Sequence, residues 1–515
     1  LVFNLFSDGP FFNAYPIMLT KNDPNLIASY LEDYSNISGG FCDAVYFPET
    51  ETDIRSILTS SAGKKIPITL TGAGTGVTGG RVPFGGSVLS LEKMDKIEEI
   101  KVLPTGEGIA VVQPGVILQD FLQKIDEQGL FYPPDPTEKT SFLGGNVATS
   151  ASGARSFKFG TARDYVSGLR VMLSNGEMVD IERGDVTAGK GRTIGLPLVS
   201  GGIIDVQLPG YDMPDVKNAA GYYARDGMDA VDLFIGQEGT LGVITRISLR
   251  LLRRLHGLLD CYAFFRRQED ALTFVRKARA LSRGNPDLLT GSANAISLEF
   301  FDLNALQLLR ERHKNIPKDA ASALYFEQEI SKENESDVMD AWAGLITECG
   351  GSLDDTWFAQ TAKDRDELMA VRHDLPDMVN EYIKRHKQTK IGTDIAVGLD
   401  NIEEMIGYYS RLLTEADLRY IIFGHIGDSH LHVNILPKDS AEHSKGKKLY
   451  ELFVKKAVSL GGTVSAEHGI GKLKHPYLEV MYGRGGVEEM AHLKKTLDPA
   501  CILGLDNIFP KEMLG

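Results

Sequence analysis

Cysteine is scarce in this chain of 515 residues, and the four present, Cys42, Cys261, Cys349 and Cys501, stand far apart with no CxxC pair. That argues against an iron–sulfur cluster or a cysteine-built structural zinc site within the chain. It reads as a reducing compartment, most simply the cytoplasm. Positive charge is also short: 55 Lys and Arg face 70 Asp and Glu, for a formal charge of -15. Nucleic acid needs a concentrated basic surface, so such a partner is not expected, whereas a small anion held by a few local cations stays open. An uninterrupted apolar span is missing as well. The N-terminal stretch LVFNLFSDGPFFNAYPIML is apolar but carries no basic leader, leaving peripheral membrane association open. There is no internal repeat and no low-complexity linker.

The length exceeds what one hydrophobic core usually fills, so two or three domains are expected. Short β-branched runs predict strands at Ala44–Phe47, Ile66–Thr71, Ser87–Ser90, Ile109–Gln113, Leu169–Met172, Met178–Ile181 and Gly242–Arg250. Helices are expected at Glu51–Ala62 and Gln119–Glu127. From about Leu251 longer amphipathic helices take over, at Ala271–Ser282, Ala305–His313, Glu335–Glu348 and Asp364–Lys384. Strands at Ala293–Phe300, Ala323–Glu327 and Arg419–Phe423 are interleaved with them. A boundary near residues 251–256 follows.

Glycine is what the chain has in quantity. ITLTGAGTGVTGG places Gly72, Gly74, Gly76, Gly79 and Gly80 just after a strand, where bare backbone can approach a ligand and converge amides on phosphate. A Rossmann fingerprint would open a helix there, but Pro83 and Gly85–Gly86 forbid one. A tight glycine turn is the plainer alternative. A second cluster, YPPDPTEKTSFLGGNVATSASG, pairs a rigid proline stretch at Pro133, Pro134 and Pro136 with Gly144, Gly145 and Gly153. A third, IGQEGTLGVIT, carries Gly236, Gly239 and Gly242 into a strand.

Histidines gather near the C-terminal end, in GHIGDSHLHVNILP and AEHGIG. If HLHVN is a strand, His430, His432 and Asn434 share one face and Leu431 and Val433 the other. His425 on the preceding turn can reach the same place, and Glu467 adds an oxygen donor from a stretch expected to end a helix or strand at Gly469. Imidazoles with a carboxylate and an open position suit zinc, with manganese, iron or cobalt as alternatives. Hydrogen-bonded structural histidines are the bland alternative, and a lone Arg372 on a helix is ordinarily a solvated charge.

The three glycine stretches, in this order, resemble the FAD-linked oxidases of the vanillyl-alcohol-oxidase superfamily, and within it the D-2-hydroxyacid dehydrogenase branch (D-lactate, glycolate oxidase subunit and D-2-hydroxyglutarate dehydrogenases). The resemblance spans nearly the whole chain. It implies an α+β architecture: a two-part FAD-binding domain over 1–252, an α+β cap with an antiparallel sheet over 253–495, and a segment over 496–515 returning to the FAD domain. By the same resemblance the Gly72–Gly80 loop, Thr75 included, holds the FAD pyrophosphate. Pro134, Asp135, Thr140, Gly145, Gly153 and Gly160 line the cofactor, and Glu238, Gly239 and Ile244 meet its adenosine or ribityl portion. No histidine sits in these stretches, so FAD is expected to be noncovalent.

GHIGDSHLHVNI resembles the GHxGDGNLHxN signature and GGTVSAEHGIG its GTxSGEHGIG partner. This implies His425, His432 and Glu467 as metal ligands, Asn434 near the substrate, and His468 as base. Arg372, in a VRxxxP setting, and Lys390 are implied to take the substrate carboxylate. Two positions depart from the pattern: Ser429–His430 replaces Gly-Asn, and Ala466 replaces Gly. His430 is left between joining the metal sphere and touching the substrate. The implied reaction is oxidation of a D-2-hydroxy acid, with a separate acceptor such as an electron-transfer flavoprotein, a quinone or a partner subunit, and a homodimer left open. An FAD oxidase of another alcohol or lactone class, or a metal-dependent hydrolase, are the alternatives.

Overall fold

The computed structural model describes residues 18–359 and 361–515, so the apolar N-terminal stretch lies almost wholly outside the described residues. Near the N-terminal end, strands Leu19–Lys21, Ala44–Phe47, Ser87–Ser90 and Ile68–Thr71 form a four-stranded sheet in that order, the last three mutually parallel. Alternation decides the facing of Ala44–Phe47, where Val45 and Phe47 are fully buried. Helix Glu51–Lys64 covers this sheet. It starts on a Thr50–Asp53 capping box and stops at Lys65, whose left-handed backbone ends the hydrogen-bond ladder.

A second, antiparallel sheet runs Ile97–Val102, Gly108–Val112, Val243–Arg253, Val166–Met172, Met178–Glu182, with Leu130–Phe131 also on the long strand. No helix follows the first glycine loop, in line with its prolines and glycines. The third sheet has eight strands, all antiparallel: Trp357–Phe358, Leu258–Phe265, Ser322–Glu329, Ser297–Phe301, Tyr420–Gly424, His430–Ile435 and Ile391–Gly392, with Ile395–Ala396 also on His430–Ile435. Its central strands are buried on both faces. Phe326 packs on Trp342, ring centroids 4.2 Å apart, under helices Gln268–Arg283 and Glu335–Glu348. Tyr262 and Tyr325 face the long helix Ala362–His386 through Val371 and Leu375.

Three sequence expectations need correction. The strand expected from Ala293 begins only at Ser297, because the amides of Asn294 and Ala295 bond to side chains, Gln328 Oε1 at 2.7 Å and Ser282 Oγ at 2.8 Å. The helix expected from Ala305 to His313 ends at Leu309. The stretch leading to Gly469 is neither helix nor strand but a loop pinned by side chains. Strand Leu258–Phe265 was not anticipated: LLDCYAFF has no clean alternation, since both faces are covered.

The C-terminal segment runs back to the N-terminal half. Leu503 pairs with Ile68 in a parallel bridge, with Ile68 N donating to Ile502 O at 2.7 Å. Lys494 and Asp498, both buried, tie this return to the GQEG loop through Thr240 O. No described helix is long and apolar enough to cross a membrane.

Candidate active site

The strand His430–Ile435 places its polar residues as the period of two requires, while Leu431 and Val433 are fully buried. Two glycines on the neighbouring strands make room for them. A Cβ on Gly424 would come within 2.8 Å of the His432 ring, and one on Gly392 within 2.8 Å of Asn434 Oδ1. His425 begins the short turn Ile426–Asp428, which folds back so that His430 N donates to His425 O at 3.1 Å. The rings of His425, His430 and His432 thereby lie 4.5 to 5.4 Å apart between centroids.

Glu467 arrives from the loop, and the four side chains each bring one donor atom to within 4.8 Å of the others. Three of the four, His425, His432 and Glu467, have an outer atom occupied or faced. His425 Nδ1 meets Glu299 Oε1 at 2.5 Å, leaving Nε2 3.4 Å from Glu467 Oε2. His432 Nδ1 faces Thr393 O at 3.3 Å. Glu467 Oε1 accepts from Gly153 N at 2.8 Å and pairs with the buried Lys217 ammonium, so Oε2 is the oxygen turned to the histidines. Outer partners of this kind orient metal ligands and set their tautomers. The donor set fits a divalent transition metal.

Electrostatics separate these groups. Burial opposes charge on His425, but Glu299 and Glu467 outweigh it and raise its pKa to about 9. Burial and the surrounding imidazoles push His432 well below the usual range. Burial also pulls His468 down, to about 4, against the attraction of Asp394. Glu299 is held near 2 despite its burial, by His425 and Arg372. A second grouping, Asp394, His432 and His468, also has metal-like spacing. Asp394 is committed elsewhere, accepting from Ser465 Oγ at 2.6 Å, His468 N at 2.9 Å and Lys474 Nζ at 2.9 Å. It fixes the loop carrying Glu467 and His468.

A cavity of about 940 Å³ joins this cluster to the glycine stretches. Its wall includes Gly72, Gly74, Thr75, Gly76, Gly80, Gly145, Gly153, Glu238, Gly239 and Ile244 on one side and Lys390, His432, Asn434, Glu467 and His468 on the other. Direct contacts link the two sides: Thr78 Oγ1 donates to His468 O at 3.3 Å, besides the bond from Gly153 N to Glu467. Gly145 has open space where a Cβ would stand, and Gly74 takes φ +85 with the Arg81 guanidinium backing the loop through Gly72 O. A flat, long cofactor laid on bare backbone fits this wall.

Several expected residues lie off the wall. Gly79 turns the loop at φ +79 against Ile37, and Gly160 ends a short helix at φ +85 beside Asp164. Asp135 pairs with Lys139 and lies 3.8 Å from Arg155, which together hold its carboxyl near 2 against its burial. Pro134 and Thr140 are likewise not among the lining residues. Glu238 lines the cavity, but its carboxylate accepts the amides of Ile470 and Gly471, both at 2.7 Å, and burial raises its pKa to about 7. Arg372 gives Nε and Nη2 to Glu299 Oε2 at 3.2 Å and is not itself on the wall, although Pro376, one turn on, is. Lys390 is open to the cavity, has no ion-pair partner among the described residues, and is pulled down by the surrounding protein.

Sequence reasoning missed Glu299, Asp394 and Lys217. Glu299 left one trace, a single charge inside the otherwise apolar strand SLEFF. The other two sit in unremarkable loops.

Comparison with known proteins agrees with this geometry. A family model for the FAD binding domain matches residues 42–182, and one for the C-terminal domain of FAD linked oxidases matches 271–505. The glycolate oxidase subunit GlcD of Bacillus subtilis is 31% identical, covering 91% of this chain and 89% of its own. A D-lactate dehydrogenase of Anaerostipes hadrus is 30% identical over 85% of this chain and 83% of its own. The fold matches that of 4-ethylphenol oxidase from Gulosibacter chungangensis with a TM-score of 0.67, at 15% identity over 96% of this chain and 95% of that one. With glycine backbone and imidazole cluster on one cavity, the chain belongs to the FAD-linked oxidases of the vanillyl-alcohol-oxidase superfamily, D-2-hydroxyacid dehydrogenase branch, and is a flavin-dependent oxidoreductase.

Proposed function

We propose that the protein oxidises a D-2-hydroxy acid to the 2-oxo acid, with His425, His432 and Glu467 holding a divalent metal, zinc first among zinc, manganese, iron and cobalt. The observation that carries this reading is the shared cavity, walled by Gly72–Gly76, Gly145 and Gly153 and by His432, Glu467 and His468. Bound noncovalently, FAD supplies the hydride acceptor, and the metal supplies Lewis-acid polarisation of the hydroxyl.

The chain's own residues do the rest. Lys390, on the wall and without an ion-pair partner among the described residues, takes the substrate carboxylate; Arg372, bound to Glu299 one turn before the lining residue Pro376, would join it only by leaving that pairing. Asn434 offers its amide from the same strand face as His432. His468 Nδ1 lies 3.7 Å from Asp394 Oδ2, so Nε2 is the nitrogen left to accept the hydroxyl proton. Burial keeps this ring neutral near pH 7, the form a base requires. Electrons leave to a separate acceptor, an electron-transfer flavoprotein, a quinone or a partner subunit. Two relatives, a glycolate oxidase subunit and a D-lactate dehydrogenase, carry 2-hydroxy acids in their names and support this substrate class.

The test is a panel of D- and L-2-hydroxy acids with a dye acceptor, before and after chelation. Turnover of D-acids that vanishes on metal removal and returns with added zinc is expected. Turnover that survives verified metal removal overturns the metal's role, and folded protein that refuses added FAD overturns the whole reading.

A further inference from the structure

His430 is fully buried, and neither of its ring nitrogens has a hydrogen bond. Nε2 at least has the Asp394 carboxylate beside it, whereas Nδ1 is a buried polar atom with no hydrogen-bond partner among the described residues, which is costly. Such a group in a well-packed interior calls for a ligand. It does not line the cavity, so it has no route to a substrate there. Its surroundings are polar and directed. Nε2 lies 3.0 Å from Asp394 Oδ1, off hydrogen-bonding angle, and Nδ1 lies 3.9 Å from Glu467 Oε2. That oxygen also faces His425 Nε2 at 3.4 Å. His425 and His430, from one turn and strand, and Glu467, from a distant loop, therefore aim donor atoms at one spot, and the His430 ring is 4.5 Å from that of His432.

We propose that His430 is a fourth protein ligand, binding through Nδ1 with Asp394 behind Nε2, so that the centre is three imidazoles and one monodentate carboxylate. This rests on the metal reading above and deepens it. Its consequences follow from coordination chemistry. Three neutral nitrogens and one oxygen favour zinc, cobalt or iron over magnesium or calcium. A fourth protein donor would leave fewer positions for substrate oxygen than three donors do, and the members of such a centre that face the cavity are His432 and Glu467.

The test uses full-length flavin-loaded protein and needs no activity. X-ray absorption at the zinc edge of the unmodified protein should show three imidazoles, and two would overturn the proposal. His430→Asn, the residue the family pattern has here, should keep its flavin absorbance but bind Co2+ at least about 100-fold more weakly in chelator competition, since even outer partners cost 10–100-fold. Its Co2+ visible bands should also shift. Unchanged affinity and bands in a folded His430→Asn variant overturn the proposal while leaving the metal reading intact. Unmodified protein that binds neither Zn2+ nor Co2+ overturns both.

Discussion

Glu299 stands between Arg372 and His425, in strand Ser297–Phe301, and gives one oxygen to each. Its negative charge makes His425 a better donor and keeps Nδ1 protonated so that Nε2 is free to bind. Glu299→Gln keeps the shape and removes the charge. Metal affinity should fall about 10–100-fold, read by competition with a chelator, with flavin content unchanged. His468 differs because it faces the cavity and, among the described residues, its ring has no hydrogen bond beyond the approach to Asp394. His468→Gln should lower turnover by about 10²–10⁴ while flavin and metal both stay bound. Near-full turnover in that variant would remove it as the base. The sequence showed His468 and hid Glu299, because the bond that matters joins residues 126 apart.

Among the elements, the helix Leu303–Leu309 owes its start to Asp302, which accepts from Ala305 N at 2.8 Å while buried. Burial raises this carboxyl to about 7 against the pull of the capping amides. The folded chain thus holds a proton that the unfolded chain releases near the usual 3.8. Its contribution is complete below that value and is lost as pH rises through about 7. Asp302→Asn keeps the capping acceptor and cannot ionise. Its melting temperature relative to the unmodified protein should therefore rise between about pH 4 and about pH 8; a constant difference would contradict the shift. Gly153 is an element-scale constraint of another kind. At φ +82 it pairs with Asp135, and any Cβ would strike the Asp135 carbonyl. Gly153→Ala should cost several kcal/mol, roughly the 1–3 for strained backbone plus the clash, and should weaken flavin and metal together, because Gly153 N also holds Glu467.

Over the whole molecule, Asn507 ties three distant stretches together. Its Nδ2 donates to Gly80 O and Glu238 O, both at 2.9 Å, and its Oδ1 accepts from Lys472 Nζ at 2.7 Å. Asn507→Leu leaves Glu238 O without its donor, at about 1–3 kcal/mol, while Gly80 O and Lys472 Nζ keep their bond to each other at 3.1 Å. Flavin affinity should fall before the thermal transition does, measured by ultrafiltration of bound FAD alongside melting; unchanged FAD retention would show the tie to be dispensable. Local order was readable in advance. Strands Ala44–Phe47 and Ser87–Ser90 and helix Glu335–Glu348 fall where periodicity put them. The glycine loops and the shared face of His432 and Asn434 are likewise properties of neighbouring residues. Strand Leu258–Phe265 was not readable, because burial on both faces erases the alternation that marks a strand. The amino-acid sequence alone determined where bare backbone and metal-type donors occur, since backbone sterics and side-chain period act within a few residues. Only the tertiary structure decided which nitrogen of each histidine faces inward, that Arg372 and Glu238 are already engaged, and that Lys217 stands behind Glu467. Those pairings close loops of tens to hundreds of residues, and the packing that selects them leaves no local mark.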